Sequence, residues 1–153
     1  MNGPDSSAAN AEADLYGLLS ESLSFPNAEL AEAVDSGRFL STIGHLLGHL
    51  SYDAGAPLDG LEPPGLPAGE LEAEYIRLFD LPDRTPTPLY TGVYAPRRRD
   101  AMEELLRLYR HFGLTVDSEA HDLPDFVPTV LEFIRFLAEG TALGPGETRE
   151  ARE

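Results

Sequence analysis

Residues 97–113 read RRRDAMEELLRLYRHFG, and this stretch decides the fold class. Met102, Leu105, Leu106, Tyr109 and Phe112 recur at three- and four-residue steps, so a helix gathers all five on one inward face. The helix is expected over about Arg97 to Phe112, with Gly113 suited to the left-handed conformation that closes a helix C-terminus.

The same period appears on both sides. Upstream, Ser6-Ser7 suit capping, and Leu15, Leu18, Leu19 and Leu23 follow at helical spacing until Pro26 stops the run. A short second helix is expected from Asn27 with Leu30 and Val34, and a third from near Ser36 with Phe39, Ile43, Leu46, Leu47 and Leu50, ending by Tyr52. Asp53 to Gly69 holds four glycines and four prolines and reads as a loop. A fourth helix, Ala68 to Phe79, places Leu71, Tyr75, Leu78 and Phe79 on one stripe before Asp80-Leu81-Pro82. Prolines 82, 86, 88 and 96 then keep the segment carrying Leu89, Tyr90, Val93 and Tyr94 extended. Downstream, a turn through Asp117 to Asp122 leads into a helix over about Asp125 to Glu139 that buries Val127, Val130, Leu131, Ile134 and Leu137. No alternating strand run and no internal repeat is present. The expectation is an all-α, single-domain helical bundle over residues 1–153, frayed at 1–7 and 144–153, with a long Pro-rich loop between the fourth and fifth helices.

Composition removes several function classes. There is no cysteine, which excludes disulfides, thiolate metal sites and thiol catalysis. All eleven basic residues are arginine, so the lysine of a phosphate-binding loop is missing, and no glycine-flanked serine forms a nucleophile elbow. The net charge of −16 repels nucleic acid and anionic membranes and would attract a basic ligand, although a solvated acidic surface that keeps the chain soluble is the preferred explanation of the charge by itself. No apolar run is long enough for stable membrane insertion, and the first ten residues lack a basic start and an apolar core, so a cytoplasmic protein is expected.

The chemistry that remains is sparse. His45 and His49 share one helix face at a spacing that can hold a transition metal, but two ligands are not a site and the zincin glutamate is missing, so no metal is expected. Arg97-Arg98-Arg99 reads as a solvated helix start that opposes the helix dipole. Glu72 with Glu74, and Asp122 with Asp125, read as solvation or capping rather than paired catalytic carboxylates. No catalytic residue and no cofactor is assigned.

Three pieces occur in a telling order: Glu74-Tyr75-Ile76-Arg77-Leu78-Phe79, then Pro88-Leu89-Tyr90-Thr91-Gly92-Val93-Tyr94, then Leu123-Pro124-Asp125-Phe126-Val127-Pro128-Thr129-Val130-Leu131-Glu132-Phe133. Together they resemble the TorD/DmsD/NarJ family of redox-enzyme maturation chaperones, and the last piece looks closer to its NarJ-like and type II dimethylsulfoxide-reductase branch. The resemblance covers about Glu72 to Ala138. It implies an all-helical, non-enzymatic chaperone for the catalytic subunit of a molybdopterin oxidoreductase. Such a chaperone binds that subunit's basic N-terminal segment, often a twin-arginine signal, until cofactor insertion is complete and before export or assembly. Carried over residue by residue, Tyr75, Phe79, Pro88, Tyr90 and Tyr94 line one side of a peptide groove and Pro124, Asp125 and Phe126 the other, with Asp125 meeting an arginine of the ligand. For Tyr75 and Phe79 the competing reading is core packing, and for Asp125 it is helix capping.

Two departures from the family pattern stand out. Phe126 occupies the place where the TorD and DmsD branches usually carry histidine, and His121 lies five positions upstream, out of register. Family members also commonly continue with further helices, whereas this chain stops at Glu153, from which uncovered inner faces and a possible homodimer are expected. The runner-up function is a helical adaptor or regulatory module that binds a folded protein. A nucleotide-hydrolysing or metal-dependent enzyme is a third reading, and it lacks a phosphate-binding loop.

Overall fold

The computed structural model describes residues 6–52, 58, 60–63, 65–66, 68–80, 85–116 and 123–142. The turn expected at 117–122, residues 1–5 and 144–153 of the segments expected to fray, Pro82 and much of the glycine- and proline-rich loop lie outside the described residues, whereas Ser6 and Ser7, expected to fray with 1–5, belong to the first helix. Six α-helices occur among the described residues: α1 Ser6–Leu23, α2 Ala28–Asp35, α3 Arg38–His49, α4 Ala68–Tyr75, α5 Arg98–His111 and α6 Val127–Ala142. No strand occurs among them, and extended pairing there is confined to an isolated antiparallel bridge between Tyr90 and Phe126. The fold is all-α, with the Pro-rich segment between α4 and α5 as expected.

Most boundaries follow from local chemistry. Asn27 opens α2 by accepting the Leu30 amide on its side-chain oxygen at 2.8 Å. Gly37, at φ +74°, turns the chain from α2 into α3, so α3 starts at Arg38 rather than Ser36. Gly113, also at φ +74°, closes α5: its amide donates to the Arg110 carbonyl at 3.0 Å and the Leu114 amide reaches back to Tyr109 at 2.9 Å. This is the Schellman arrangement, which satisfies carbonyls left over at a helix end.

Two boundaries depart from the expectation. The fourth helix keeps α pitch only to Tyr75 and then widens to a π turn over Ile76–Asp80, a change that nothing in the neighbouring packing explains. The last helix starts at Val127, not Asp125. The backbone of Asp125 and Val127 is engaged elsewhere, because the Thr91 amide donates to the Asp125 carbonyl and the Val127 amide donates to the Leu89 carbonyl, each at 2.8 Å. Pro128 then sits in the first turn, where a missing amide leaves no partner unsatisfied.

The centre of the molecule is the pairing of α1 with α6, the most extensive contact between elements. Ser20 faces Pro128 through a buried 3.0 Å hydrogen bond to its carbonyl, while Gly17 faces Arg135, so the two helices run antiparallel. Ala13 in α1, on the same face as Ser20, and Ala138 in α6 are both small and buried, while Ala11 faces His45 and Leu46 of α3. On the other flank of α6, Tyr109 and Phe112 from α5 meet Phe133 edge-on, with ring centroids 4.9 and 5.7 Å apart. Leu30 and Ala31 are buried in α2, while Phe39, Ile43, Leu46, Leu47 and Leu50 along α3 are each only half-buried.

Candidate functional site

The three sequence pieces that carry the resemblance converge at one end of α1. The Pro-rich segment makes a 3-10 turn at Thr91–Val93 and is clipped to residues 123–127 by the Tyr90–Phe126 bridge. The side chain of Asp125 passes beneath this turn. It is 0% exposed, Oδ2 accepts the Gly92 amide at 3.1 Å, and Arg98 Nε lies 3.8 Å from the same oxygen. Oδ1 has no hydrogen-bond partner among the described residues. Gly92 is required by space rather than by backbone conformation: a Cβ there would sit 2.6 Å from Oδ2 and 2.7 Å from Arg98 Cγ. Arg98 also covers the ring of Tyr90, its guanidinium carbon 5.9 Å from the centroid. One arginine of α5 thus ties the loop's aromatic ring to the buried carboxylate.

Below Asp125, the Tyr109 hydroxyl donates to the Pro124 carbonyl at 2.9 Å. Burial, and secondarily the negative charge of Asp125, push the Tyr109 phenol up to about 12, because the phenolate would be both poorly solvated and repelled. Above the loop, the Tyr94 hydroxyl donates to the Pro88 carbonyl at 3.0 Å. Pro88, Pro124 and Asp125 therefore hold the frame, and Tyr94, 64% exposed, points outward from it.

What the frame presents is an aromatic cleft of about 270 Å³. Four residues expected in a groove line it together: Tyr75 and Phe79 from the fourth helix, Tyr90 from the loop and Phe126 from the start of α6. The rings are in contact, Tyr75 with Phe79 at 5.1 Å and Tyr90 with Phe126 at 5.4 Å. Pro88, Tyr94, Pro124 and Asp125 are not among the lining residues. Asp125, expected to meet an arginine of a ligand or to cap the last helix, meets Arg98 and the Gly92 amide of its own chain instead.

Sequence reasoning missed four lining residues, Ser24, Phe25, Asp80 and Leu89. Phe25 is 55% exposed and packs edge-on to Tyr75 at 5.4 Å. Its signal was an aromatic residue set between a helix end and Pro26, where no helical stripe accounts for it. Arg98 was missed too: Arg97 and Arg99 do make solvated pairs, with Asp100 and Glu103, but Arg98 turns inward.

Elsewhere, His45 and His49 stand edge-on with their Nε2 atoms 3.1 Å apart, one ring donating to the other. Among the described residues no group of three or more histidine or carboxylate side chains is placed to hold a metal ion, and no helix is long and apolar enough to cross a membrane.

Residues 39–153 match the family described as nitrate reductase delta subunit. The chain is 39% identical over 97 residues to the chlorate reductase assembly chaperone protein of Ideonella dechloratans, which covers 60% of this chain and 50% of that protein. It is 28% identical over 155 residues to the perchlorate reductase assembly chaperone protein of Dechloromonas aromatica (strain RCB), covering 93% of this chain and 69% of that one. With the selenate reductase assembly chaperone protein of Thauera selenatis it shares 34% identity over 96 residues, again 60% of this chain and 50% of the relative. The chain spans about half the length of the chlorate and selenate reductase relatives. The family match extends from Phe39 in α3 through the fourth helix, the clipped loop and α6, so it contains most of the elements that build the aromatic cleft, and the chain belongs to the nitrate reductase delta subunit family.

Proposed function

We propose that this chain is an assembly chaperone for a molybdopterin-containing oxidoreductase, acting in the cytoplasm on the basic N-terminal segment of the catalytic subunit. The observation that carries the proposal is the cleft in which Tyr75, Phe79, Tyr90 and Phe126, drawn from three separate parts of the chain, face one space beside the exposed ring of Phe25. Aromatic walls of this kind suit the apolar side chains of an extended or helical peptide. The net charge of −16 suits a basic one. Relatives whose names make them assembly chaperones of chlorate, perchlorate and selenate reductases support the same reading.

In this mechanism the chain performs no bond chemistry and needs no cofactor of its own. Tyr75, Phe79, Tyr90 and Phe126 contact the segment, while Pro88, Tyr94, Pro124 and Asp125 act by fixing the loop on which Tyr90 stands. The chain works as one unit, either alone or as a pair.

Affinity co-purification of the tagged chain from its native host, followed by mass spectrometry, tests the proposal. Recovery of an immature oxidoreductase catalytic subunit, lost on Tyr90→Ala substitution with the helical content unchanged, is the expected result. Recovery of folded partners alone would replace the chaperone with an adaptor.

A further inference from the structure

Among the rings of the aromatic cleft, Tyr90 is the one carried by the Pro-rich segment. Its main chain is fixed by the bridge to Phe126 and by the 2.8 Å bonds that join Thr91 to Asp125 and Leu89 to Val127. Those bonds leave the ring free to turn about its side-chain torsions, so the place of this wall depends on what the ring rests against. Phe126 meets it within the cleft, with centroids 5.4 Å apart. Arg98, which is not among the lining residues, lies over it with the guanidinium carbon 5.9 Å from the centroid.

Arg98 is itself held in place. Its side chain is 48% exposed, against 84% for Arg97 and 90% for Arg99, which pair with Asp100 and Glu103 of α5. The Arg98 stem crosses Gly92 so closely that Cγ would lie 2.7 Å from an added Cβ, and Nε lies 3.8 Å from Oδ2 of the buried Asp125. One side chain thus spans from a carboxylate with no exposure to a ring of the cleft. A planar guanidinium serves both ends, meeting a carboxylate while lying on an aromatic face, whereas the ammonium of lysine is a compact, strongly hydrated point charge.

We infer that Arg98 is a positioning residue for peptide binding: anchored on Asp125, it holds the Tyr90 ring where the ring serves as a wall of the cleft, and it does so without touching the bound segment. The inference rests on the peptide-binding reading and adds to it a residue outside the cleft. A wall set in advance binds more tightly than one that must be ordered during association, because each side chain immobilised on binding costs part of the affinity. Charge alone predicts the reverse effect. Removing the Arg98 charge takes the net charge from −16 to −17, which favours capture of a basic segment, so a loss of affinity on its removal does not come from the field of the surface.

The test is a double-variant cycle read by fluorescence anisotropy, using a labelled peptide that joins arginine to leucine and phenylalanine residues, with helical content checked by circular dichroism. Arg98→Met keeps an unbranched stem and removes the guanidinium, and it is expected to weaken binding about threefold to tenfold. In a Tyr90→Ala background the same substitution is expected to weaken binding no further, because the ring that Arg98 positions is gone. Should Arg98→Met not fold, Arg98→Lys, which leaves Asp125 a counter-charge, takes its place in the cycle; a smaller loss in the same direction is expected, and no loss overturns the inference. An equal loss in both backgrounds also overturns it, since Arg98 would then act other than through Tyr90. Unchanged or tighter binding by Arg98→Met, with Tyr90→Ala still weakened, overturns it while leaving the peptide groove in place. Failure of the unaltered chain to bind the peptide, or binding indifferent to Tyr90→Ala, removes the groove and the positioning role together.

Discussion

At Asp125 a carboxylate is held with no exposure, and among the described residues the Gly92 amide and the Arg98 guanidinium approach one oxygen and no partner approaches the other. Burying a charge is costly unless polar groups surround it, so the arrangement tolerates little disturbance. Gly92→Ala pushes a methyl group into Oδ2 and into Arg98 Cγ at once, and Oδ2 has no room to withdraw. The expected cost is about 2 kcal/mol, the range of overpacking in a filled site, measured as a lowered urea midpoint at unchanged m value. Unchanged stability would show that the loop shifts freely over Asp125. Tyr109 gives a second reading of the same place. Its phenol titrates near 12 in the folded chain against an ordinary 10.0, so the folded state prefers the protonated form. The linked stability is therefore intact below pH 10 and is lost as pH rises from there through about 12. Urea unfolding across that window is expected to show a decline in stability that is smaller in Tyr109→Phe, and the latest phenolate absorbance step should disappear in the same variant. A variant with the same decline as the unaltered chain would place the high-pH sensitivity elsewhere.

Elements formed where local signals agreed with one another. Helix α5 was legible nearly to the residue because a single apolar stripe runs to Phe112 and Gly113 follows it, and the Schellman closure at φ +74° is the physical form of that signal. Gly113→Ala forces an L side chain into the left-handed region, with an expected loss of about 1 kcal/mol in chemical unfolding and fraying of the last turn of α5 in amide exchange. Protection unchanged at Arg110 to Leu114 would show that the cap contributes nothing. The start of α6 was not legible. A Pro-Asp pair ordinarily reads as a capped helix start, but here Asp125 and Phe126 pair with residues 89–92, and periodicity carries no information about a partner more than thirty positions away. The same limit hid Arg98, whose inward turn depends on Asp125 rather than on its arginine neighbours. Half of the candidate site was found in the sequence. Tyr75, Phe79, Tyr90 and Phe126 lie within the three motifs that carry the family resemblance, and the resemblance, more than their spacing, marked them as groove residues. Phe25 follows the end of α1 and belongs to no stripe, and only the fold brings it to Tyr75.

The whole molecule carries 27 acidic residues against eleven arginines, which makes long-range attraction and short-range contact separable. The summed field of the surface attracts a basic segment from a distance and acts on the association rate, and salt screens it over about 8 Å at physiological ionic strength. Apolar side chains seated against Tyr75, Phe79, Tyr90 and Phe126 act at contact and slow dissociation. Raising the salt concentration from about 0.05 to 0.5 M is therefore expected to lower the association rate of a basic, apolar peptide about tenfold or more while changing its dissociation rate far less. Tyr90→Ala leaves the net charge at −16, so it should keep nearly the same salt dependence of association and lose the slow dissociation. Stopped-flow mixing of a labelled arginine peptide with both proteins at several salt concentrations measures the two rates directly. If salt altered only dissociation, the long-range field would have no part in capture, and the acidic composition would serve solubility alone.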